Sequence, residues 1–391
     1  MFESILKEIK PTKKEEEELN SKVAIFLRSL NDNLKEGKIV VGGSFAKGTW
    51  LRGQHDLDIF VQYPNEEKIS DKLETAIKKT FRKYQRIHGS RDYFIIEFEK
   101  IIFEVIPVLK IKSSIEAKNI TDISPLHVEW VNKNLSDKMK DDVRIAKQFS
   151  KANKFYGAET FIKGLHGYVL EILIYHYGSF LNMVKNVSKW RENMLINFGK
   201  NEFYSEQHFP LVLIDPVNPK RNATASLSEE KLNLFIKTCK DFNKNKSLKY
   251  FKEQKINEKK YNLIIEAEPL EGSRDVAGTK ILKVHEYIEH KLKNEGYEIK
   301  NTEFEFKEKG KVYFNIKNKK LPKYKKHYGP PITMKEGLEN FKKKYGKYKT
   351  EKGKAYVMLI NKNNKLEEYI KKIIKDEEVK TRVKKIKILK M

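Results

Sequence analysis

Two aspartates, Asp56 and Asp58, stand two residues apart in "DLDIFVQY", an alternating run that reads as a β-strand. Side chains two apart on a strand leave the same face. The pair therefore sets like charges side by side while Leu57, Ile59 and Val61 turn toward a core. Either the strand lies at a solvated edge, or the carboxylates hold divalent cations whose charge lets both stay ionised. Eleven residues separate Asp56 from Ser44 of "GGS", a glycine turn that follows the short strand "KIVV". Backbone N–H groups of Gly43 and Ser44 can approach a phosphate closely, and a brief helical turn expected over "AKGTWL" offers an amino end that favours an anion. A glycine pair alone is more often a plain turn. Joined to Asp-x-Asp at this spacing, it is far more specific for a metal-plus-triphosphate site.

Such a site needs a third carboxylate on a neighbouring strand. Glu104 in "IIFEVIPV" fits, because a lone acid inside a buried apolar strand needs a partner. Two cations about 4 Å apart could activate a hydroxyl and stabilise the leaving oxygen of an in-line displacement. Mg²⁺ suits this chemistry, with oxygen ligands and substrate phosphates completing its shell.

Around this core the chain reads as three parts. In residues 1–120 an amphipathic helix over Glu15–Leu34, a second helix marked by Leu73, Ile77, Phe81 and Tyr84, and adjacent strands "DYFIIEFE" and "KIIFEVIPVL" make an α+β unit with a small mixed sheet. Residues 121–255 turn helical, with "SDKMKDDVRIAKQFSKANKFYG" ending at Gly157 and one long buried helix over "GYVLEILIYHYGSFLNMVKNV". A short strand and Pro/Asn turn in "FPLVLIDPVNPKRNATASLS" follow, then a helix capped by Ser226 or Ser228. Residues 256–391 form a second α+β unit: a strand "YNLIIEAE", a helix ending near Gly296, a hairpin turning at Lys309-Gly310, a strand "AYVMLI" and a last helix "LEEYIKKIIK".

Charge points to a polyanion as partner. Lys and Arg number 80 against 54 Asp and Glu, a net +26. Residues 261–391 hold 34 basic and 19 acidic residues, and Lys311–Pro330 holds seven lysines and no acid. Lysines there interleave with Tyr313, Phe314, Tyr324, Tyr328, Tyr345 and Tyr348, a pattern that can neutralise phosphates while exposed rings stack on bases. Phe314 alternates with Val312 and Ile316 and belongs to a core. The expected nucleic-acid surface includes Lys311, Lys323, Tyr324, Lys325, Lys326, Lys343 and Lys344. Cys239 is alone, which excludes disulfide frameworks and Cys-rich zinc sites. No apolar run approaches membrane-spanning length, and the acidic "KKEEEEL" near the start is unlike a targeting peptide. A cytoplasmic protein with no membrane partner is expected.

Downstream of the carboxylates, Arg144, Lys147 and Lys151 share one helix face, which taken alone is a solvated charged face. His127 reads as a surface or helix-entry histidine, Tyr156 as a half-buried aromatic, and "DPVNPKRNAT" as a turn held by an Asp215–Arg221 ion pair.

These segments, in their order, carry a resemblance. The Gly-Ser…Asp-x-Asp arrangement resembles the nucleotidyltransferase superfamily that includes DNA polymerase β. "GGSFAKGTWLRGQHDLDIFV", "DISPLHVEWV", "VRIAKQFSKANKFYGAE", "GLHGYVLEILIYHYGSFL" and "LIDPVNPKRNATASLS" are similar, in order and spacing, to the archaeal class I CCA-adding enzymes. "HYGPP" and the lysine-rich segment after it resemble that family's C-terminal domains. The resemblance implies a polymerase β-like head over 1–120, a helical central domain over 121–255 completing the nucleotide pocket, and a tRNA-binding tail over 256–391. It also implies a tRNA nucleotidyltransferase that adds or repairs the 3′-terminal CCA from CTP and ATP without a template. Asp56, Asp58 and Glu104 become the catalytic, metal-binding carboxylates of a two-ion Mg²⁺ site. Gly43, Ser44, Lys47, His127, Lys147 and Tyr156 match nucleotide-binding positions, and Asp215 and Arg221 match the region where the base is read. Arg144 and Lys151 keep their place on a charged face. Glu104 stands where the family usually has Asp and reaches one methylene further. Lys47 stands where it often has Arg, a point charge in place of a bidentate fork. The tail would hold the acceptor stem and T arm of tRNA, and a homodimer is in keeping with the family. Alternatives are a poly(A) polymerase or oligoadenylate synthetase-like transferase, or a non-catalytic RNA-binding module, against which three clustered acids argue.

Overall fold

Helix α1 (Phe2–Ile9) leads into α2 (Lys13–Asn31) across Thr12, whose hydroxyl accepts from the Glu15 N–H at 3.3 Å while its own N–H donates to the Glu15 carboxylate at 2.6 Å. This reciprocal cap fixes where α2 starts. Its apolar stripe, Leu19, Val23, Phe26 and Leu30, is buried. The chain then runs through β1 (Lys38–Val41), α3 (Gly43–Ala46), β2 (Asp56–Tyr63), α4 (Ile69–Thr80), β3 (Gln85–Ile87), β4 (Tyr93–Phe98) and β5 (Ile101–Leu109). The strands form one mixed sheet in the order β1-β2-β5-β4-β3, with β2 parallel to β5 and the other pairs antiparallel. Strand β2 thus has a neighbour on each side, which removes the solvated-edge alternative for its aspartates. The helical turn expected over "AKGTWL" lies earlier, at Gly43–Ala46, since the chain turns directly out of β1 at Gly42.

The computed structural model describes residues 1–54, 56–191, 193–197 and 207–391, and its units are Met1–Lys255 and Ile256–Met391. In the first, the sheet is followed by α5 (Ser124–Asn134), α6 (Asp137–Ala152), α7 (Gly167–Tyr177), α8 (Phe180–Val187), β6 (Met194–Ile196), β7 (Leu211–Leu213) and α9 (Glu229–Lys244). These helices enclose Phe149, Leu170, Phe180, Phe235 and Phe242, and α1 adds Ile5 and Ile9 to the same core. The single long helix expected over residues 167–187 is two. Gly178 takes φ +77° and ends α7, and the Ser179 hydroxyl accepts from the Asn182 N–H at 3.3 Å to start α8. Both signals stand in "YGSF", hidden by an apolar period that runs across the break. Ser228, not Ser226, caps α9 by accepting from the Lys231 N–H at 3.2 Å.

The second unit contains β8 (Leu263–Pro269), α10 (Arg274–Glu295), β9 (Ile299–Phe306), β10 (Gly310–Ile316), β11 (Tyr324–Pro331), α11 (Lys335–Tyr345), β12 (Lys349–Glu351), β13 (Lys354–Ile360), α12 (Leu366–Ile373), α13 (Glu377–Lys380) and β14 (Val383–Lys390). Its sheets run β14-β8-β10-β9 and β11-β13-β12. The chain does not finish at α12, as expected, but continues into an edge strand beside β8. "VKKIKILK" resembles a solvated tail because lysines line it, which is how exposed strand edges are protected from further pairing. Among the described residues, no helix is long and apolar enough to cross a membrane.

The head's sheet is tied to α2 by aromatic stacking. Phe26 is fully buried, with its ring centroid 3.7 Å from that of Phe103 on β5 and 4.7 Å from that of Phe81. Phe26→Ala should cost about 3–5 kcal/mol of unfolding free energy, read as a lower urea midpoint. A loss under about 1 kcal/mol would refute the contact's role.

Candidate active site

The parallel pairing of β2 with β5 places Asp58 directly beside Glu104, and Asp56 beside Ile102. Residues in register on neighbouring strands share a face, so all three acids project from one side of the sheet. Leu57, Ile59, Phe103 and Val105 fill the other side and are almost fully buried. Burial lifts Asp58 to about 6 against the pull of Lys47, with Asp56 adding to the rise. Burial and the charges of Asp58 and Asp56 lift Glu104 to about 7. A row of acids in which Asp58 and Glu104 are raised by desolvation and by the charge of neighbouring carboxylates is a donor set that fits a divalent cation. Among the described residues, no group of three or more acidic, imidazole or thiol side chains stands ready to hold an ion unaided. The row is open, as suits cations whose other ligands are water and substrate phosphates.

The turn after β1 lies against this row. The Gly42 N–H donates to the Asp58 carbonyl at 2.7 Å. Gly43 has φ +60°, and a Cβ there would come within 1.7 Å of Asp58 Oδ2, so only glycine fits. Ser44 follows within α3, and its carbonyl accepts from the Thr49 N–H at 2.9 Å, closing the turn.

Beyond the turn the chain meets α6 and α7 through a buried network that sequence reasoning did not identify. Glu171 accepts from Lys47 Nζ at 2.8 Å and from the Thr49 hydroxyl at 2.7 Å. Lys147 Nζ donates to the Thr49 carbonyl at 3.0 Å and hydroxyl at 3.1 Å, and lies 3.9 Å from Glu171. Burial would raise the Glu171 carboxyl, but Lys47 and Lys147 more than offset it and hold it below its usual range. Burial pulls Lys147 down to about 8. Lys47 also lies over the Tyr168 ring, 4.8 Å from its centroid. Gly167 leaves space for both Lys147 and the Tyr156 hydroxyl, since a Cβ there would approach them to 3.1 Å and 3.3 Å. Lys147 thus points inward, and Tyr156 is half-buried beneath Lys151. Arg144 is not on a solvated face. It is buried, donating to the Trp50 carbonyl at 3.1 Å and to Asp141 at 2.6 Å, because the turn's backbone needs a donor there.

A second hub is Asp215. Its carboxylate accepts from His127 Nε2 at 3.0 Å, the Tyr168 hydroxyl at 2.9 Å, the Val217 N–H at 2.9 Å and Arg221 Nη1 at 2.9 Å. His127 is buried and stacks on Tyr168, with ring centroids 4.0 Å apart, so it is neither a surface nor a free histidine. Burial lowers its pKa although the hydrogen bond and charge of Asp215 pull the other way. The expected Asp215–Arg221 pair is present, inside a larger network. Glu171 and Tyr168 both lie in "GLHGYVLEIL", a buried helical stretch that the resemblance implies lines the cleft, though neither residue was singled out. The signal was available, because a lone acid in an apolar helix raises the same question as Glu104 in its strand.

On tail residues the structure divides the seven expected positions. Tyr324 and Lys326 lie on one face of β11 with Tyr328, across from Ile360, Met358 and Tyr356 of β13. Lys325 and His327 alternate with them, and His327 meets Phe341 and Tyr345 of α11. Lys343 and Lys344 are exposed in the last turn of α11, and Lys323 is exposed just before β11. Lys311 sits in the other sheet, half-buried and paired with Glu258 at 3.2 Å. Tyr313 is core.

Burial would raise Asp215, yet His127, the Val217 N–H and Arg221 hold its carboxyl well below the usual range. A carboxyl depressed by folding adds stability above its unfolded value of about 4 and loses it as pH falls toward the folded value. Asp215→Asn should therefore cost about 3–5 kcal/mol at neutral pH. The gap from the unsubstituted protein should narrow as pH falls below about 4 in chemical denaturation. A gap independent of pH would refute the ionised hub.

Comparison with known proteins covers both units. The family models "Nucleotidyltransferase domain", "tRNA nucleotidyltransferase, second domain" and "CCA-adding enzyme, C-terminal domain" match residues 23–146, 141–252 and 273–386. The CCA-adding enzyme of Nanoarchaeum equitans is 35% identical over 337 residues, 82% of this chain and 83% of that one. That of Sulfurisphaera tokodaii is 34% identical, covering 76% and 73%, and that of Methanosarcina mazei is 30% identical, covering 88% and 80%. Among solved structures, a cytoplasmic RNA terminal U-transferase aligns with TM-score 0.52 at 12% identity, over 65% of this chain and 98% of that one. This shows the shared polymerase β-like nucleotidyltransferase fold. With Asp56, Asp58 and Glu104 inside the first matched stretch and Asp215 inside the second, the chain belongs to the CCA-adding enzymes.

Proposed function

We propose that the chain builds or repairs the 3′-terminal CCA of tRNA from CTP, CTP again and ATP, without a nucleic-acid template. The observation that carries this reading is the register of Asp58 beside Glu104, with Asp56 on the same face, beneath a glycine turn. The 3′-hydroxyl of tRNA gives up its proton to solvent as its oxygen bonds to the α-phosphorus of the nucleotide. The bond from that phosphorus to the β-phosphate's bridging oxygen breaks, and pyrophosphate leaves. Asp56, Asp58 and Glu104 are the catalytic residues and the ligands for a pair of Mg²⁺ ions. When bound, these ions supply charge neutralisation and activation of the attacking hydroxyl. Gly43 and Ser44 take the triphosphate on the turn beside Asp58. Lys47 and Lys147, held together by Glu171, face its charge, and Tyr156 and His127 line the nucleotide's path. Asp215 fixes Arg221 for contact with the base.

In this reading residues 1–120 are the catalytic head, 121–255 the helical domain that completes the pocket, and 256–391 the tRNA-binding tail. Lys323, Tyr324, Lys325, Lys326, Lys343, Lys344 and Lys311 meet the acceptor stem and T arm, chiefly through backbone phosphates and shape. The protein works in the cytoplasm, as a homodimer.

The test supplies Mg²⁺ and tRNA lacking its last three nucleotides, with each nucleoside triphosphate singly and together. Addition of two C and one A, then arrest, is expected. Long A tracts would favour a poly(A)-type transferase, and no addition would sink the reading. Asp58→Ala should reduce incorporation at least about 10³-fold while tRNA affinity stays within about threefold. Retained activity would remove Asp58 from the metal site. Tail contacts have a separate measure. Replacing Lys323, Lys325 and Lys326 together with Ala should weaken tRNA binding and flatten the log K against log[salt] slope by about two. An unchanged slope would take those lysines off the RNA surface.

A further inference from the structure

Lys147 of α6 is a lysine almost fully shut off from water inside the candidate site. We propose that it is the general acid of the reaction, giving a proton from Nζ to the pyrophosphate oxygen as that group leaves. The inference rests on the proposed nucleotidyl transfer, in which Lys147 faces the triphosphate, and adds a proton donor where that reading has a charge alone.

A charged Nζ carries three N–H bonds. Two of them go to a single residue, to the Thr49 carbonyl at 3.0 Å and to its hydroxyl at 3.1 Å. That hydroxyl passes its own hydrogen to Glu171 at 2.7 Å, which leaves its lone pairs for Lys147. Among the described residues the third N–H has no hydrogen-bond acceptor, since the Glu171 carboxylate stands off at 3.9 Å. A neutral amine keeps two N–H groups, so losing the third proton leaves both bonds to Thr49 intact. On the side toward Gly167 no side chain intervenes: a Cβ there would lie 3.3 Å from Nζ and 3.3 Å from the Tyr156 hydroxyl. Lys47 is held differently. It pairs directly with Glu171 at 2.8 Å and covers the Tyr168 ring, so its proton could not leave without stripping a buried carboxylate of its nearest positive charge.

The surrounding charges agree with this geometry. Burial brings Lys147 down to about 8; Glu171 of α7 opposes that fall, while Lys47 of the site turn and Lys151 and Arg144 of α6 add to it. Tyr156 is itself pushed up by burial, so it stays neutral beside the amine. Asp58 of β2 lies near enough for the Lys147 charge to pull its carboxyl down. An acid that titrates close to the working pH both holds its proton before the step and releases it during the step. In that step the bond from the α-phosphorus to the bridging oxygen breaks, and its electron pair stays on that oxygen. The oxygen takes the Nζ proton, and the amine regains one from solvent after pyrophosphate departs.

The experiment follows single turnovers of C addition to tRNA lacking its terminal CCA, with Mg²⁺ and saturating CTP, across pH. In the unsubstituted enzyme the rate should decline on the alkaline side as Lys147 gives up its proton. Lys147→Arg keeps a positive charge for the phosphates, but a guanidinium does not release its proton. Its rate should fall at least about tenfold and the alkaline decline should vanish. If that variant does not fold, Lys147→Met is read with the β,γ-difluoromethylene analogue of CTP, whose leaving group is less basic and needs the acid less. The analogue's rate relative to that of CTP should rise at least about tenfold over the same ratio in the unsubstituted enzyme. A residue that only binds phosphate or packs the site would lower both nucleotides alike. A smaller loss in Lys147→Arg, a loss confined to the KM for CTP, a smaller rise in Lys147→Met, or no alkaline decline in the unsubstituted enzyme overturns the inference. Failure of that enzyme to add C at all would instead strike at the proposed function.

Discussion

Glu171 sits where water cannot reach it, and the placement of the site turn depends on that fact. A carboxylate without compensation in such a position costs several kcal/mol. Here it is met by Lys47 at 2.8 Å, by the Thr49 hydroxyl at 2.7 Å and, more distantly, by Lys147. Two of those partners come from the segment joining Gly43 to Asp58, and the third from α6. One acid on α7 therefore fixes the segment's depth against the helices. It also leaves a surplus of positive charge beside Asp58, where both lysines act to lower the carboxyl. Lys47, Lys147 and the acids of β2 and β5 are thus held in one electrostatic frame.

Much of this was legible because strand chemistry is local. A period of two fixes which residues share a face, so Asp56 and Asp58 could be paired from sequence, and a lone acid in "IIFEVIPV" had to be explained. That Asp58 would face Glu104 was not legible, since parallel pairing across α4 is a long-range register that no neighbouring residue encodes. The helices show the reverse weakness. In α7 the apolar content was so continuous that Glu171 and Tyr168 vanished into it, and the Gly178–Ser179 break was overrun. Arg144 was misplaced for a related reason: helical spacing shows which side chains share a face, but not that a carbonyl from Trp50 waits there. The amphipathic β14 was lost because its lysines are the mark of a protected edge as much as of a loose end.

Two departures from the family pattern acquire a physical setting. An arginine at position 47 could hold a phosphate with a rigid fork. Lys47 is a compact charge that is shared between Glu171 and the face of Tyr168. Glu104 lies level with Asp58 in the register of β2 and β5, on a side chain one methylene longer than aspartate.

That register also sets an electrostatic cost on the fold. The sheet sets Asp58 and Glu104 side by side, where burial and neighbouring acids raise both carboxyls although Lys47 and Lys147 pull Asp58 down. Folding therefore carries an electrostatic cost that the divalent cations of the proposed site would relieve. Anything that binds the folded state alone stabilises it by mass action. The hydrophobic face behind the three acids, with Phe26 stacked on Phe103, holds the strands that carry them. Catalytic readiness is sustained by the core on the far side of the sheet.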